Sequence, residues 1–351
     1  MSGAGGATGA TGATGAPRGA RYRAIHARSL ADPGGFWGEQ AARIDWIREP
    51  ATVLDASRAP FFAWYPDGVL NVCANGLDRH VAAGRGAQAA VIHDSPVTGS
   101  QRTLTYEELL AEVAQFAGAL RRLGVEAGDR VVIYMPMVPE AVIAMLACAR
   151  LGAVHAVVFG GFGAKELATR IDDLEPRVVV SASCGIEPGR VVAYKPLLDE
   201  ALELSARQCV EHCVILQRPQ AEAALVAGRD LEWGEALAGA APADPVPVPA
   251  THPLYVLHTS GTTANPKGIV HDSGGYAVAL HWSMECVYGL GPGDVWLAAS
   301  DIGWVVGHSY TVYAPLLTGC TTVLYEGKPV GTPDAAAYWR LISQHRVNAV
   351  F

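Results

Sequence analysis

The sequence predicts an α/β fold in which mostly parallel sheets are covered by helices. Three observations point there. The run 131–134 is continuously apolar and reads as a strand buried on both faces, and the short runs Val178–Ala182 and Thr321–Tyr325 read as further strands. Between them lie segments with apolar residues at helical spacing and clear start and stop signals. The two kinds alternate along the chain, and strands separated by helices pair in parallel through crossovers.

Taken in order, residues 1–20 are almost entirely Gly, Ala and Thr, bury no apolar surface and are expected to be disordered. They lack the apolar stretch of a secretory signal. Arg18, Arg21 and Arg23 without acids share a composition with mitochondrial presequences, but no amphipathic helix accompanies them, so the expected compartment is the cytoplasm. Asp32-Pro33 followed by Gly35-Phe36-Trp37 predicts a capped short helix. The aromatic residues Phe36, Trp37, Trp46, Phe61, Phe62, Trp64 and Tyr65 read as an N-terminal segment packed over the main body.

Thr105 and Glu108 form a capping box, and Leu109, Val113, Phe116 and Leu120 continue that helix until Gly124. Strand 131–134, helix 139–149, strand 154–159, helix Ala164–Leu174 and strand Val178–Ala182 follow. Residues 217–252, rich in Ala and Pro, read as a linker-like approach to an apolar strand at 254–257. Beyond it come Ile269-Val270, a helix at 276–288, a strand at 295–299, a helix at 308–318 and strand Thr321–Tyr325. Thr332-Pro333-Asp334 predicts the start of a last helix reaching His345, with Pro at its first position. The chain stops at 347–351, the opening of an apolar strand; natural termini seldom fall there, so a fragment is expected.

Half of the residues are hydrophobic, 17% are charged, and the net charge is −8, which argues against nucleic acid as a partner. No stretch approaches the ~18–20 uninterrupted apolar residues of a membrane span. The 7 cysteines are scattered. Cys209 and Cys213 have neither a second pair nor a histidine cluster to complete a metal site, so they read as reduced thiols and no metal ligands are expected.

The run Thr259-Ser260-Gly261-Thr262-Thr263-Ala264-Asn265-Pro266-Lys267-Gly268 crowds hydroxyls, glycines and a lysine into one loop after a strand. Such a loop offers many hydrogen-bond donors and a mobile positive charge, which suits a polyphosphate and predicts ATP. It is not a Walker loop: Pro266 stands where Gly is required and Gly268 where a hydroxyl is. A Gly-x-Gly-x-x-Gly fingerprint for a dinucleotide is also missing there.

The loop closely resembles that of the adenylate-forming enzymes, the acyl-CoA synthetase and luciferase superfamily, with pattern Thr-Ser-Gly-[Ser/Thr]-Thr-Gly-x-Pro-Lys-Gly. One position departs: the second family Gly is Ala264. The likeness covers the chain from about Asp32 onward and is strongest to acetyl- and propionyl-CoA synthetases. It is carried by Leu70-Asn71-Val72-Cys73, Leu77-Asp78-Arg79-His80, Tyr134-Met135-Pro136-Met137, Val158-Phe159-Gly160-Gly161-Phe162, the run from Ser300 to Tyr310, and Tyr325-Glu326-Gly327.

The resemblance implies an N-terminal segment at 21–100 and an adenylation domain at 101–351, incomplete at its C-terminus. It implies ATP, Mg2+ and CoA, and a short-chain carboxylate as substrate. A first step would give acyl-adenylate and pyrophosphate, and a second would pass the acyl group to CoA. By this likeness Thr259, Ser260, Gly261, Thr262, Thr263 and Gly268 bind the ATP phosphates, and Lys267 adds a catalytic positive charge. Phe159, Gly160, Gly161 and Arg190 face CoA, although Glu187 stands where a second family arginine is common. Trp304, Val305 and Val306 line the acyl pocket; Val306 replaces a usual Thr, which favours propionate over acetate by ~1–3 kcal/mol at most. Family members carry further adenine, ribose and lysine contacts downstream, so the 351 residues are expected not to turn over alone. Two alternatives stay open: a non-catalytic remnant that binds nucleotide or a partner, and a ligase for another acid.

Overall fold

A computed structural model describes residues 18–259, 266–328 and 331–351. Of the tail expected to be disordered at 1–20, residues 1–17 lie outside the described residues. The last three open helix Arg18–Ala31, which also carries Arg21 and Arg23 and corrects the expectation that no helix accompanies these arginines. Two sheets carry the architecture. In chain order their strands, with one small hairpin, are β1 (Ala89–Ser95), β2 (Ser100–Thr105), β3 (Arg130–Tyr134), β4 (Val154–Val157), β5 (Val178–Ala182), β6 (Cys184–Glu187), β7 (Arg190–Ala193), β8 (His212–Leu216), β9 (Asp230–Glu232), β10 (Pro253–Thr259), β11 (Lys267–Asp272), β12 (Val295–Leu297), β13 (Thr321–Tyr325) and β14 (Ala349–Val350).

The larger sheet has seven strands in the order β9-β8-β5-β3-β4-β10-β11. All its pairs are parallel except the edge hairpin β10–β11. The second sheet has five, in the order β14-β12-β13-β1-β2, parallel except for the edge hairpin β1–β2. Val131, Val132 and Ile133 of β3 are fully buried, as a strand covered on both faces requires. Helix Pro139–Leu151 is buried at every position except Glu140, so it is apolar all round. One core joins it to both sheets, through Val131, Val178 and Val214 on one side and Val91, Trp296 and Leu324 on the other.

Local signals hold well. Thr105 Oγ1 accepts the Glu108 amide at 3.2 Å while Glu108 accepts the Thr105 amide at 2.8 Å, closing the capping box of helix Tyr106–Arg122. Asp32 caps helix Pro33–Ala41 by accepting from the Gly35 amide at 2.9 Å.

Three further expectations need correction. Residues 217–252 are no linker. They contain β9, helix Trp233–Leu237 and a short strand Val248–Pro249. Trp233 stacks on Phe116 with ring centroids 4.1 Å apart, and the Ala243 amide donates to Ala114 O at 2.9 Å. The small residues that suggest a linker let this backbone lie directly against a helix. The last helix spans Ala337–Gln344, beginning beyond the proposed cap. Thr332 is tied to the end of β13 instead, its carbonyl accepting from Tyr325 Oη and its hydroxyl from the Lys328 amide. Asp334 then serves the helix start, accepting from the Ala336 amide at 2.8 Å. Finally, the helix expected at 308–318 is interrupted by a wide π-helical stretch, His308–Tyr313, ahead of Ala314–Thr318. Such widened turns cluster near functional sites.

Candidate functional site

The hydroxyl-rich loop bridges the edge hairpin of the larger sheet. Thr259 ends β10 and Lys267 begins β11, and the two are cross-strand partners. Ser260, Gly261, Thr262 and Thr263 lie outside the described residues. Lys267 is exposed, so its ammonium faces solvent at the root of the loop. Gly268 allows close packing there, since a Cβ would stand 2.9 Å from Val256 Cγ1. His258 binds Asp173 of helix Ala164–Leu174 at 2.8 Å and so fastens the hairpin to its neighbour.

A cavity of about 310 Å3 opens at the carboxyl ends of β3, β4, β12 and β13. Parallel strands fan apart at these ends, which is where ligands of open α/β sheets bind. Its wall brings together Phe159, Gly160 and Gly161, which follow β4, with Trp304, which follows β12. Phe159 and Trp304 touch, their ring centroids 5.6 Å apart. β4 ends at Val157, two residues earlier than the pattern suggested, because the chain turns into this wall. Gly160 has no room for a side chain: a Cβ would sit 2.0 Å from the Tyr194 hydroxyl. Val305 and Val306 continue from Trp304 into a helical turn and are not on the cavity wall. Arg190 is exposed at the end of the β6–β7 hairpin, opposite Glu187, and is also off the wall.

Three carboxylates face this space: Glu187, Asp301 and Glu326. Glu326 is buried and held from behind. Arg218 Nη2 donates to its Oε2 at 3.0 Å, Ser95 Oγ donates to the same oxygen at 2.8 Å, and His93 Nε2 lies 3.8 Å away. Arg218 follows β8 and Glu326 follows β13, so this ion pair bridges the two sheets. Asp301 accepts from the Gly303 amide at 2.7 Å, and burial pushes its carboxyl up to about 6. Glu187 pairs with Lys328 at 3.1 Å.

Behind Trp304 lies a buried aromatic and imidazole cluster. The Nε2 atoms of His155 and His308 meet at 3.1 Å, and Tyr313 Oη lies 3.1 Å from the same atom of His155. His308 Nδ1 reaches Ile302 O at 3.2 Å. Burial presses His308 down to about 3, so the ring is neutral at ordinary pH and braces the wall sterically. Neither Arg218 nor this cluster has a local sequence signal, since each joins residues more than a hundred positions apart. Among the described residues no three metal-ligating side chains converge, and no helix is long and apolar enough to cross a membrane.

Comparison with known proteins identifies the family. The family described as AMP-binding enzyme matches residues 78–351, and the family described as acetyl-coenzyme A synthetase N-terminus matches residues 22–76. An uncharacterised protein of Pseudomonas aeruginosa is 58% identical over 94% of this chain and 52% of its own length. Human acyl-CoA synthetase short-chain family member 3, mitochondrial, is 53% identical over 95% of this chain and 48% of its own. Acetyl-coenzyme A synthetase of Streptomyces coelicolor is 47% identical over 93% and 50%. The chain spans about half the length of these curated relatives. It belongs to the AMP-binding enzyme family.

Proposed function

We propose that the protein is an ATP-dependent acid–thiol ligase that makes propionyl-CoA, and acetyl-CoA less readily, releasing AMP and pyrophosphate. The carboxylate oxygen attacks the α-phosphorus, the bond to the β-phosphate oxygen breaks, and pyrophosphate departs. The CoA sulfur then attacks the acyl carbon, its proton is lost, and AMP leaves with the oxygen that came from the acid. The observation that carries this reading is the strand-end cavity joining Phe159, Gly160 and Gly161 to Trp304, in a chain of this family.

In this reading Lys267, with Thr259, Ser260, Gly261, Thr262, Thr263 and Gly268, neutralises charge on the departing pyrophosphate. Phe159, Gly160, Gly161 and Arg190 receive CoA. Trp304, with Val305 and Val306, bounds the acyl group. Mg2+ would arrive with the triphosphate as its counter-ion, since among the described residues no three metal-ligating side chains converge to hold it. The chain spans about half the length of its curated relatives, so the complete reaction is proposed at the length those relatives have. The cysteines are all free, which fits a reducing compartment, and we take this to be the cytoplasm despite the mitochondrial names of vertebrate relatives.

Carboxylate-dependent exchange of labelled pyrophosphate into ATP, run with acids from acetate to hexanoate and with benzoate, tests the proposal. Propionate should exchange fastest. Preference for long or aromatic acids would overturn the substrate assignment.

A further inference from the structure

At the mouth of the strand-end cavity stand Glu187, the last residue of β6, and Lys328, just beyond β13. Their charged groups meet at 3.1 Å. Among the described residues Lys328 is the one cation on the wall, against the carboxylates Glu187, Asp301 and Glu326. Glu326 is already paired with Arg218. Asp301 accepts from the Gly303 amide, which favours its charged form, and although burial pushes its carboxyl up to about 6 it also feels the Lys328 charge. At the mouth itself, the charges an entering ligand meets first are the Glu187–Lys328 pair.

This pair is built to be opened. The side chains are 29% and 44% exposed, and an ion pair so wetted is worth only ~0–1 kcal/mol, so a stronger anion displaces Glu187 readily. Lysine suits that exchange, because its ammonium is a compact charge with three rotatable donors on a flexible stem. Arg190 is the cross-strand partner of Glu187, so a second cationic residue stands at the same end of the hairpin. The chain carries a net charge of −8, so an anionic ligand needs a local positive feature to approach at all.

We propose that Glu187 and Lys328 form a charge latch, in which Lys328, flanked by Arg190, binds the phosphate groups of the thiol-bearing nucleotide and Glu187 is the built-in competitor they displace. This rests on the CoA reading given above. The latch demands opposite signs from its two halves. Removing the cation weakens phosphate binding, whereas removing the competing carboxylate strengthens it. A mere structural brace moves both variants the same way.

The test uses the native gene product and measures KM for CoA, for pantetheine, for ATP and for propionate. Lys328→Met should raise KM for CoA by roughly three- to tenfold, the range of a charge-assisted contact at a half-exposed site. Glu187→Gln should lower it by roughly two- to fivefold. Pantetheine, which has the thiol and no phosphate, should respond to neither change, and KM for ATP and propionate should stay put. Added salt should narrow the gap between wild type and Lys328→Met. Shifts in the same direction for both variants would overturn the latch, as would an effect that persists with pantetheine or appears in ATP instead. Intact pyrophosphate exchange with an unmoved KM for CoA would overturn the latch alone. Exchange with no acid would instead remove the ligase reading on which it stands.

Discussion

Replacing Arg218 by Met should destabilise the protein by about 3–5 kcal/mol, because it strands a buried carboxylate at the junction of the two sheets. The pair is 7% and 5% exposed, with N···O as short as 2.8 Å. At that separation and an effective dielectric of ~20 the attraction is about 6 kcal/mol before desolvation is subtracted. Ser95 still donates to Glu326 in the variant, but one hydroxyl cannot offset a charge. The double variant Arg218→Met/Glu326→Leu removes both ions and should recover most of the loss, giving a coupling of ~2 kcal/mol or more in the cycle.

The deficit should also depend on pH. Burial first, and then Arg218, hold His93 down to about 4. With Arg218 gone and Glu326 unpaired, protonating His93, whose Nε2 is 3.8 Å away, supplies the missing cation. The cost of Arg218→Met should therefore shrink between pH 7.5 and pH 5.5. Urea unfolding of the four proteins at both pH values reads all of this. A single variant within ~1 kcal/mol of wild type, or a double variant no better than the single one, would refute the role given to the pair.

Three further outcomes are expected. Burial holds His80 and His308 near 3 and His93 and His281 near 4, below the ~6.5 of an unfolded chain. The unfolded state thus binds more protons below ~6.5, so stability is complete above that pH and falls as pH drops toward 4; an unchanged urea midpoint between pH 7.5 and pH 5 would contradict it. In Gly307→Ala the new Cβ would meet Asp301 O at 2.0 Å, a backbone atom that cannot swing away. Overpacking of roughly 1–3 kcal/mol should lower Tm and shift Trp304 fluorescence, and a wild-type Tm would count against the tight turn. Trp304→Ala should raise kcat/KM for valerate relative to propionate by roughly tenfold or more, and an unchanged ratio would remove Trp304 from the acyl wall.

What the sequence discloses here is what short-range physics encodes. Val178–Ala182, Thr321–Tyr325 and helix Ala164–Leu174 have the bounds that the sequence pattern assigns them, because both strand runs are short and buried throughout and the helix is strongly amphipathic. The capping box at Thr105 is legible for the same reason. Where the competing signal is tertiary, the pattern misleads. Ala and Pro at 217–252 look like a linker until Trp233 is seen stacked on Phe116. Thr332 has the chemistry of a cap, yet Tyr325 and Lys328 claim it.

The site divides in the same way. Phe159, Gly160, Gly161 and Trp304 are found by motif and meet in space, whereas Lys267 and Arg190 stand apart from that cavity. Arg218, 108 positions from Glu326, leaves no trace in any window of sequence. Lys328 acquires meaning only beside Glu187.

The central claim is that a carboxylate is activated by attack on the α-phosphorus of ATP within this chain's fold. Supplying the native protein with propionate labelled with oxygen-18 in both carboxylate positions, together with ATP and CoA, tests it most directly. One labelled oxygen should emerge in the phosphate of AMP, with none in inorganic phosphate or pyrophosphate. Label in orthophosphate accompanied by ADP, or AMP released without label, would contradict the account.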